Sequence, residues 1–396
     1  MSCGLCLNDC PTFRILGDEA DSPRGRIQLI RELVASPARA GPSLVGHLDA
    51  CLVCRACETA CPSLVPFGRI MEGARELIRE RRPPGARGLA LRAGLAVLAR
   101  PRLLRGVAGL ADVYARSGVR RLLRRVLPGR LRDMDALLGP AEGRAYRGAE
   151  RAGADAAMFA GCVMATAFGE TDRATVRLLE RGGMRVTAPA AQVCCGALHA
   201  HSGDGEGARS LARRNVAAFE DGTSTVVVNA AGCGAHLKAY GEVLAEDEAW
   251  AARARRFAGR VRDATEAVPP SAVAASVPAP LRVVYQDACH LAHGQRVRRQ
   301  PRDLLRAVGG VEIVPIADAE RCCGSAGIYN LTHPQIAAEL QRQKVAAIIA
   351  TDPDVVVSAN PGCILQLRAG LRAAGSTVPV MHLLRFLDDP AARPPP

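Results

Sequence analysis

The chain has 396 residues, of which 48% are hydrophobic and 23% charged, and it carries a formal net charge of +13. This composition is typical of a globular protein with two or three domains and argues against an intrinsically disordered chain. The longest apolar stretch, residues 88–99, is interrupted by Arg92, so no transmembrane helix is predicted.

The chain contains fifteen cysteines. In a small secreted domain this number would suggest disulfides, but this chain is large, and its N-terminus has neither a basic region nor an apolar stretch before a cleavage site. We therefore interpret the cysteines as thiolates of a protein in the reducing cytoplasm.

Residues 1–80 contain two cysteine runs. The longer run has the spacing CxxCxxCxxxC, ends in Pro62, and consists of Cys51, Cys54, Cys57 and Cys61. This spacing holds a [4Fe-4S] cluster in bacterial ferredoxins, whereas zinc, the alternative, is usually held by CxxC pairs that lie farther apart. The shorter run repeats the last three cysteines before Pro11 and consists of Cys3, Cys6 and Cys10.

In two-cluster ferredoxins the fourth cysteine of each run binds the other cluster. That rule predicts one complete set, Cys10, Cys51, Cys54 and Cys57, and one incomplete set, Cys3, Cys6 and Cys61. The missing cysteine would stand directly before Met1, so we expect a longer reading frame. We expect the incomplete set to hold a three-iron cluster, a labile four-iron cluster or none. Between the runs, apolar residues at helical spacing predict a helix over residues 23–34.

Residues 81–150 form an Arg-rich connector of short helices, with 16 arginines against five acidic residues. Because it offers only Tyr114 and Tyr146 for base stacking and no nucleic-acid fold motif, no nucleic-acid partner is predicted. A basic amphipathic helix is predicted with an apolar face of Leu122, Leu123, Val126 and Leu127 and a basic face of Arg120, Arg121, Arg124 and Arg125. Two interpretations stay open: the leucine side packs on the protein, or the helix attaches peripherally to a membrane.

The remainder of the chain is a duplication, predicted as one domain over residues 151–268 and another over residues 281–390, joined by a linker with four prolines over residues 269–280. Each copy has a single cysteine, a Cys-Cys-Gly turn and a further cysteine, and the second set follows the first by 127 to 130 residues. The first set is Cys162, Cys194, Cys195 and Cys233, and the second is Cys289, Cys322, Cys323 and Cys363.

Short apolar runs alternate with helical patterns in both copies, which predicts a parallel α/β sheet in each. The predicted strands are residues 156–160, 225–229, 282–286 and 355–358, and the predicted helices include residues 171–181, 208–219 and 334–350. Four of the cysteines follow a strand, so they are expected to converge at the carboxyl ends of the sheets. A Cys-Cys-Gly turn can aim two sulfurs at one metal cluster; a zinc site or buried structural thiols are the alternatives.

The cysteine runs, the string DEADSPRGRI at residues 18–27, DACHLAHGQ at 287–295 and CCGSAG at 322–327 resemble the iron-sulfur subunit of bacterial glycolate oxidase. The resemblance covers essentially the whole chain. It implies a helical two-cluster ferredoxin-type module followed by two cysteine-rich CCG domains, all fifteen cysteines as cluster ligands, and flavoprotein partner subunits that oxidise a 2-hydroxy acid. Related CCG subunits serve lactate utilisation, glycerol-3-phosphate dehydrogenase and heterodisulfide reductase, which are the alternatives.

This chain departs from the usual CCG pattern, which ends in CxxC, because His236 and Gln366 stand where the last cysteine would be. Four cysteines per set suffice for a cubane cluster, and His236 as a substitute ligand stays open. His290 and His293 are expected either to relay a proton or hydrogen-bond cluster sulfur, or to cap a helix. No GxGxxG follows a strand, so the flavin is expected on a partner and a membrane acceptor such as a quinone downstream.

Overall fold

The computed structural model describes residues 3–36, 41–81, 85–220, 222, 225–273 and 276–392. Within these residues, an N-terminal helical module and a helical connector precede two parallel sheets of four strands each. The predicted fold class, α/β with an N-terminal helical ferredoxin-type module, is confirmed. The expectation about the start of the chain concerns positions outside the described residues.

The N-terminal module is built from short helices around the longer cysteine run. They are α1 (Pro11–Leu16), α2 (Pro23–Ala35), α3 (Pro42–Asp49), α4 (Ala56–Ala60) and α5 (Phe67–Arg81). Helix α2, which was predicted, begins where Ser22 accepts a hydrogen bond from the Gly25 amide at 3.0 Å. Leu33 of α2, Leu48 of α3 and Met71 of α5 are at most 1% exposed and form the module's core.

The connector forms short helices, as predicted: α6 (Ala86–Leu98), α7 (Pro101–Arg116), α8 (Gly118–Val126) and α9 (Gly129–Leu137). One of the two interpretations of α8 was that its leucine side packs on the protein. That interpretation is wrong, because Leu122 is 65% exposed and Val126 is 74% exposed. Instead, Arg120 and Arg124 turn inward to the buried carboxylate of Asp135.

The two sheets have the same parallel topology. The first comprises β1 (Ala156–Phe159), β2 (Val186–Thr187), β3 (Thr225–Val228) and β4 (Val261–Asp263) in the order β2-β1-β3-β4. The second comprises β5 (Ser276–Gln286), β6 (Gly309–Val314), β7 (Val355–Ser358) and β8 (Val380–His382) in the order β6-β5-β7-β8. The identical order supports duplication.

Helices flank both sheets. Those of the first copy are α10 (Val163–Ala167), α11 (Gly169–Arg181), α12 (Ala197–His201), α13 (Gly205–Ala218), α14 (Ala231–Lys238), α15 (Tyr240–Val243), α16 (Ala251–Arg260) and α17 (Ala264–Ala267). Those of the second are a π-helix (His290–Gly294), α18 (Arg299–Arg306), α19 (Tyr329–Thr332), α20 (Pro334–Ile349), α21 (Pro361–Ala373) and α22 (Leu383–Asp388). The four predicted strands lie in β1, β3, β5 and β7, the central strands.

Strand β5 begins inside the predicted linker of residues 269–280. Its first residue, Ser276, pairs with Gly309 of β6, so the second sheet extends farther toward the N-terminus than the proline pattern indicated. The prolines do not exclude this extension, because β5 pairs with β7 only from Val283 onward, so the start of β5 pairs with β6 alone and has one free edge. The domain boundaries themselves stay predictions.

His382 joins the two copies. Its Nε2 donates to the Asn229 carbonyl, which follows β3, at 2.8 Å, and its Nδ1 accepts from the Leu384 amide at 3.2 Å. The imidazole is buried, and burial lowers its pKa to about 4. Both nitrogens are satisfied only in the neutral ring, so protonation would break the bond that Nδ1 accepts.

We expect His382→Gln to weaken the acid sensitivity of folding. The unfolded histidine takes up a proton below its ordinary pKa of about 6.5 while the folded one resists until about pH 4, so stability falls as the pH drops between these values. From pH 6.5 to 5.5 the wild type should lose about 1 kcal/mol more than the variant. Denaturant unfolding at both pH values measures this difference, and equal losses would contradict it.

Candidate functional site

The longer cysteine run begins with a tight loop in which a backbone amide donates a hydrogen bond to a cysteine sulfur of the same run. Val53 and Arg55 have positive φ values of 53° and 66°, and the Val53 amide donates to Cys51 Sγ at 3.4 Å. In the shorter run Gly4, with φ of 81°, stands at the position that matches Arg55, directly after the cysteine equivalent to Cys54. The two cysteine runs, which align by their spacing, therefore both have a residue in the left-handed backbone conformation at this position.

The thiols of the two runs come together across the module. Burial raises the pKa of Cys57, and the neighbouring thiols of Cys54, Cys51 and Cys10 raise it further. Burial also raises the pKa of Cys6, with smaller contributions from Cys10, Cys61 and Cys3. The neighbours of Cys57 are those of the predicted complete set, and those of Cys6 include the other members of the incomplete set.

A buried ion pair stands behind Cys10, in the string of residues 18–27. Arg26 is 1% exposed and donates to Asp21 Oδ1 at 2.9 Å and to Thr12 Oγ1 at 2.8 Å. Its Nη1 also lies 4.0 Å from Cys10 Sγ. Arg26 was not predicted from the sequence, although its spacing to Ile30, four residues along the apolar face of α2, was a signal.

Each duplicated copy gathers its four cysteines into one cluster of sulfurs. In the first copy Cys195 Sγ and Cys233 Sγ are 3.3 Å apart. Contacts between sulfurs join the first set in the order Cys162, Cys194, Cys195 and Cys233. They join the second set in the order Cys289, Cys322, Cys323 and Cys363.

The glycines of the two Cys-Cys-Gly turns are required by the backbone. Gly196 and Gly324 have φ values of 90° and 87°, which L residues rarely adopt. A Cβ on Gly324 would lie 2.5 Å from the Ala337 carbonyl oxygen, and one on Gly196 would lie 3.3 Å from the Ala208 backbone. The glycines therefore let both turns lie against a helix, α20 or α13, while two sulfurs point the same way.

The sulfur sets suit multivalent cations. All fifteen cysteines, including the exposed Cys3, are free thiols. In the first set, contacts with Cys194 and burial raise the pKa of Cys162 and Cys195, while the hydrogen bonds that Cys194 accepts lower its own pKa. Buried sulfurs so close together cannot all ionise without a compensating charge, and thiolate sets of this kind bind iron-sulfur clusters or zinc.

The two sets differ in their electrostatic surroundings. Lys344 of α20 is 4% exposed, donates to the Asp318 and Ala319 carbonyls, and helps to lower the pKa of Cys323, after the hydrogen bonds from Cys322 and Cys363. The residue 128 positions earlier is Val216, so the first set has no such lysine. A cation beside a sulfur set favours the more negative, reduced state of a bound cluster.

The ferredoxin-type module packs its loop directly on the second set. Leu52, Cys54 and Ala56 share an apolar cluster with Cys289 and Cys322. Burial raises the pKa of Cys54 well above its usual value, and the next largest cause is the nearby Cys289 thiol. Tyr329 of α19 closes this contact by donating to the Ala50 carbonyl at 2.8 Å.

The histidines of the DACHLAHGQ string also belong to this interface. His293 Nδ1 lies 3.1 Å from Thr59 Oγ1 of the longer cysteine run, and its Nε2 lies 3.2 Å from the Glu320 carbonyl oxygen. The His290 ring stacks on His201, with centroids 5.3 Å apart, and its Nε2 has no partner among the described residues. His293 thus fastens the two domains together, and no hydrogen bond from its ring nitrogens to sulfur is seen among the described residues.

The two residues at the expected position of the last CxxC cysteine have different surroundings. Gln366 Oε1 accepts from Asn330 Nδ2 at 3.0 Å, so it is held by protein groups. His236 is 5% exposed, its ring meets Tyr240 edge-on at 5.6 Å, and its Nε2 has no partner in the described part of the chain. Burial lowers the pKa of His236 to about 4, so its imidazole is neutral at pH 7.

These features define a class: a two-cluster ferredoxin-type protein fused to two cysteine-rich domains. The family model of the 4Fe-4S dicluster domain matches residues 1–65, and that of the cysteine-rich domain CCG matches residues 156–238 and 283–368. The chain is 35% identical to the probable glycolate oxidase iron-sulfur subunit of Bacillus subtilis, covering 98% of this chain and 92% of that protein. The chain belongs to the family of glycolate oxidase iron-sulfur subunits, as its motifs suggested.

Further proteins are similar to this chain over all or part of its length. The glycolate oxidase iron-sulfur subunit of Escherichia coli is 32% identical over 98% of this chain and 92% of its own length. Lactate utilization protein A of Geobacillus kaustophilus is 31% identical, over 58% of this chain and 97% of its own. A crystal structure of a hypothetical protein from Helicobacter pylori shares the fold, with a TM-score of 0.56 and 8% identity over 92% of this chain and 66% of that one.

The family places the chain in an oxidoreductase complex as an iron-sulfur subunit. None of the helices in the described ranges is both long and apolar enough to cross a membrane.

Proposed function

We propose that the chain is the electron-transfer subunit of a flavin-dependent complex that oxidises glycolate or a similar 2-hydroxy acid. It receives electrons from a reduced flavoprotein partner and passes them to a membrane acceptor such as a quinone. Iron-sulfur clusters, when bound, supply one-electron carriers between the two. The partner's reduced flavin gives up two electrons and two protons, and the quinone takes up two of each to become a quinol.

The proposed ligands are the cysteines of four sets. The ferredoxin-type sets are Cys10, Cys51, Cys54 and Cys57 for a [4Fe-4S] cluster, and Cys3, Cys6 and Cys61 for a site that lacks one thiolate in this chain. The CCG sets are Cys162, Cys194, Cys195 and Cys233, and Cys289, Cys322, Cys323 and Cys363. Serving as ligands explains why buried, crowded thiols occur in sets and why all fifteen are unpaired.

The contact between Cys54 and Cys289 carries this proposal. It places the complete ferredoxin-type set beside the second CCG set, which gives electrons a short path from one domain to the next. Leu52, Ala56 and Tyr329 exclude water from this path, and low polarity reduces the reorganisation that accompanies electron transfer. An isolated structural zinc site would not require two sulfur sets in contact.

The rival substrate is lactate, which the name of lactate utilization protein A suggests for that relative. We favour glycolate because the glycolate oxidase subunits match 98% of this chain, against 58% for the lactate protein. The chain lacks a dinucleotide fingerprint after a strand, so we place the flavin on the partner. Fifteen unpaired cysteines suit a reducing compartment, so we place the complex on the cytoplasmic side of the membrane.

Reconstitution with its flavoprotein partners tests the proposal. We expect the anaerobically purified complex to reduce a water-soluble quinone with glycolate as electron donor. With the flavoproteins alone, we expect glycolate to reduce the flavin, seen as loss of its visible absorbance, without reduction of the quinone. D-lactate and L-lactate in the same assay decide the substrate. Equal quinone reduction with and without this chain would contradict an electron-transfer role.

A further inference from the structure

The connector helices α7 and α8 turn apolar faces to solvent. On α7 the exposed residues recur at helical spacing, are 45% to 74% exposed, and are Leu103, Val107, Leu110 and Val113. On α8 they are 56% to 74% exposed and are Val119, Leu122 and Val126. No residue of either helix, over the described residues 101–126, is buried. These seven residues form what we call the outer face of the connector.

The orientation of α8 is fixed by its basic side. Arg120 Nε and Arg124 Nε lie 3.2 Å and 3.1 Å from Asp135 Oδ2, and this carboxylate is 4% exposed. Tyr114 of α7 donates to Asp135 Oδ1 at 3.0 Å, which ties the two helices to the same group. An ordinary surface helix would bury its leucines and expose its arginines. In α8 Leu122 and Val126 are exposed, while Arg120, 15% exposed, and Arg124 pair with Asp135. Charge pairing therefore holds the outer face outward.

Positive charge borders the outer face. Arg121 and Arg125 of α8 are exposed beside Leu122, and the connector as a whole has 16 arginines against five acidic residues over residues 81–150. A helix with leucine and valine on one side and arginine on its flanks is the pattern of helices that lie in the headgroup region of a bilayer. Each arginine near an anionic lipid surface strengthens binding about five-fold.

The composition of the outer face favours a membrane over a protein partner. Binding hot spots between proteins are enriched in tryptophan, tyrosine and arginine, whereas leucine and valine are under-represented. The outer face has leucine and valine alone, and the nearby Tyr114 hydroxyl is committed to Asp135. Such a face gains most from apolar insertion into lipid together with attraction between arginine and headgroups.

The inner side of the same connector covers the first CCG set. Ala99, between α6 and α7, packs, as Cys162 does, against the apolar cluster that contains Cys194. A cleft of about 60 Å³ above these two sulfurs is walled on the connector side by Leu98, Leu104 and Arg105. The connector therefore has two sides: one covers the first sulfur set, and the other is the outer face.

We propose that the outer face of α7 and α8 docks the protein on an anionic membrane surface and so holds the first CCG set on the membrane side of the protein, with the connector between it and the lipid headgroups. This inference rests on the proposed function for its purpose, which is to bring the first CCG set near a membrane acceptor. The docking itself depends only on the outer face and its arginines.

Vesicle sedimentation of the cluster-loaded full-length protein tests the docking. We expect binding to vesicles of phosphatidylglycerol and phosphatidylcholine that weakens with added salt, and little binding to phosphatidylcholine alone. Arg121→Gln with Arg125→Gln should weaken binding about 25-fold. Leu122→Ser with Val126→Ser should weaken it at least about 10-fold, and because both side chains are exposed, folding should be kept.

Arg299→Gln with Arg306→Gln is the matched control, since it removes the same charge from α18 and should leave binding unchanged. Iron and sulfide, measured on each sample, should stay constant, which separates a failure of docking from a failure of the redox proposal. The inference would be overturned if the wild-type protein did not bind anionic vesicles, or if the variants of α8 bound them as the wild type does. Loss of flavoprotein co-purification in the Leu122→Ser, Val126→Ser variant, with vesicle binding intact, would assign the face to a partner subunit instead.

Discussion

Replacing Cys54 with serine should remove the cluster of the complete ferredoxin-type set and stop electron flow through the chain. The side chain keeps its size, but the hydroxyl is a poor iron ligand, and Cys54 is the member of its set that contacts the second CCG set. We expect the variant to lose about four iron and four sulfide per chain. Glycolate-driven quinone reduction by the reconstituted complex should fall to background.

Ser63→Ala is the control for this variant. Ser63 is exposed in the turn that follows α4, two residues after Cys61, so its loss should change neither metal content nor electron transfer. The CCG signals in the EPR spectrum of Cys54→Ser should persist, because those sulfur sets are separate. Full iron content together with undiminished quinone reduction would rule Cys54 out as a ligand.

Replacing Arg26 with methionine should destabilise the N-terminal module by about 3–5 kcal/mol. Methionine fills the space of the aliphatic stem but leaves the buried Asp21 carboxylate with His47 Nδ1, at 3.2 Å, as its remaining charge partner among the described residues. It also removes the cation near Cys10 Sγ, so the reduction potential of the nearby cluster should fall. Urea unfolding and a redox titration measure the two effects.

Arg24→Met is the matched control. It removes the same charge two residues earlier, but Arg24 pairs with Glu19 at the surface, where the side chains are 37% and 51% exposed. Surface pairs contribute little to folding, so we expect only a small loss of stability. The comparison is made on stability alone, because Arg24 also lies near Cys6 and Cys3. Equal losses for Arg24→Met and Arg26→Met would show that the buried network behind Cys10 is unimportant.

The sequence predicted the parts of the fold that rest on strong patterns. Central strands such as β1 and β7 are buried apolar runs, and spacing alone identified both cysteine runs and the duplication. Edge strands were not predicted, because β2 has only two residues and β6 is largely exposed, so neither shows an apolar run. The proline-rich start of β5 was predicted as a linker, but it pairs with β6 alone, and a strand with one free edge tolerates proline.

What the sequence could not give is how the domains face one another. Nothing local to Cys54 and Cys289 reveals their contact, and the cross-domain bond from His293 to Thr59 joins residues 234 positions apart. The orientation of α8 was equally hidden, since amphipathic spacing identifies two faces but not which one is outward. Asp135 decides that, through tertiary contacts with Arg120 and Arg124.

EPR spectroscopy of the anaerobically purified, reduced protein, with iron, sulfide and zinc analysis of the same sample, tests the central claim most directly. We predict low-temperature signals from several interacting clusters, with iron and acid-labile sulfide in about equal amounts and little zinc. Colourless protein that contains zinc without sulfide, and that stays EPR-silent after reconstitution with iron and sulfide, would contradict the account.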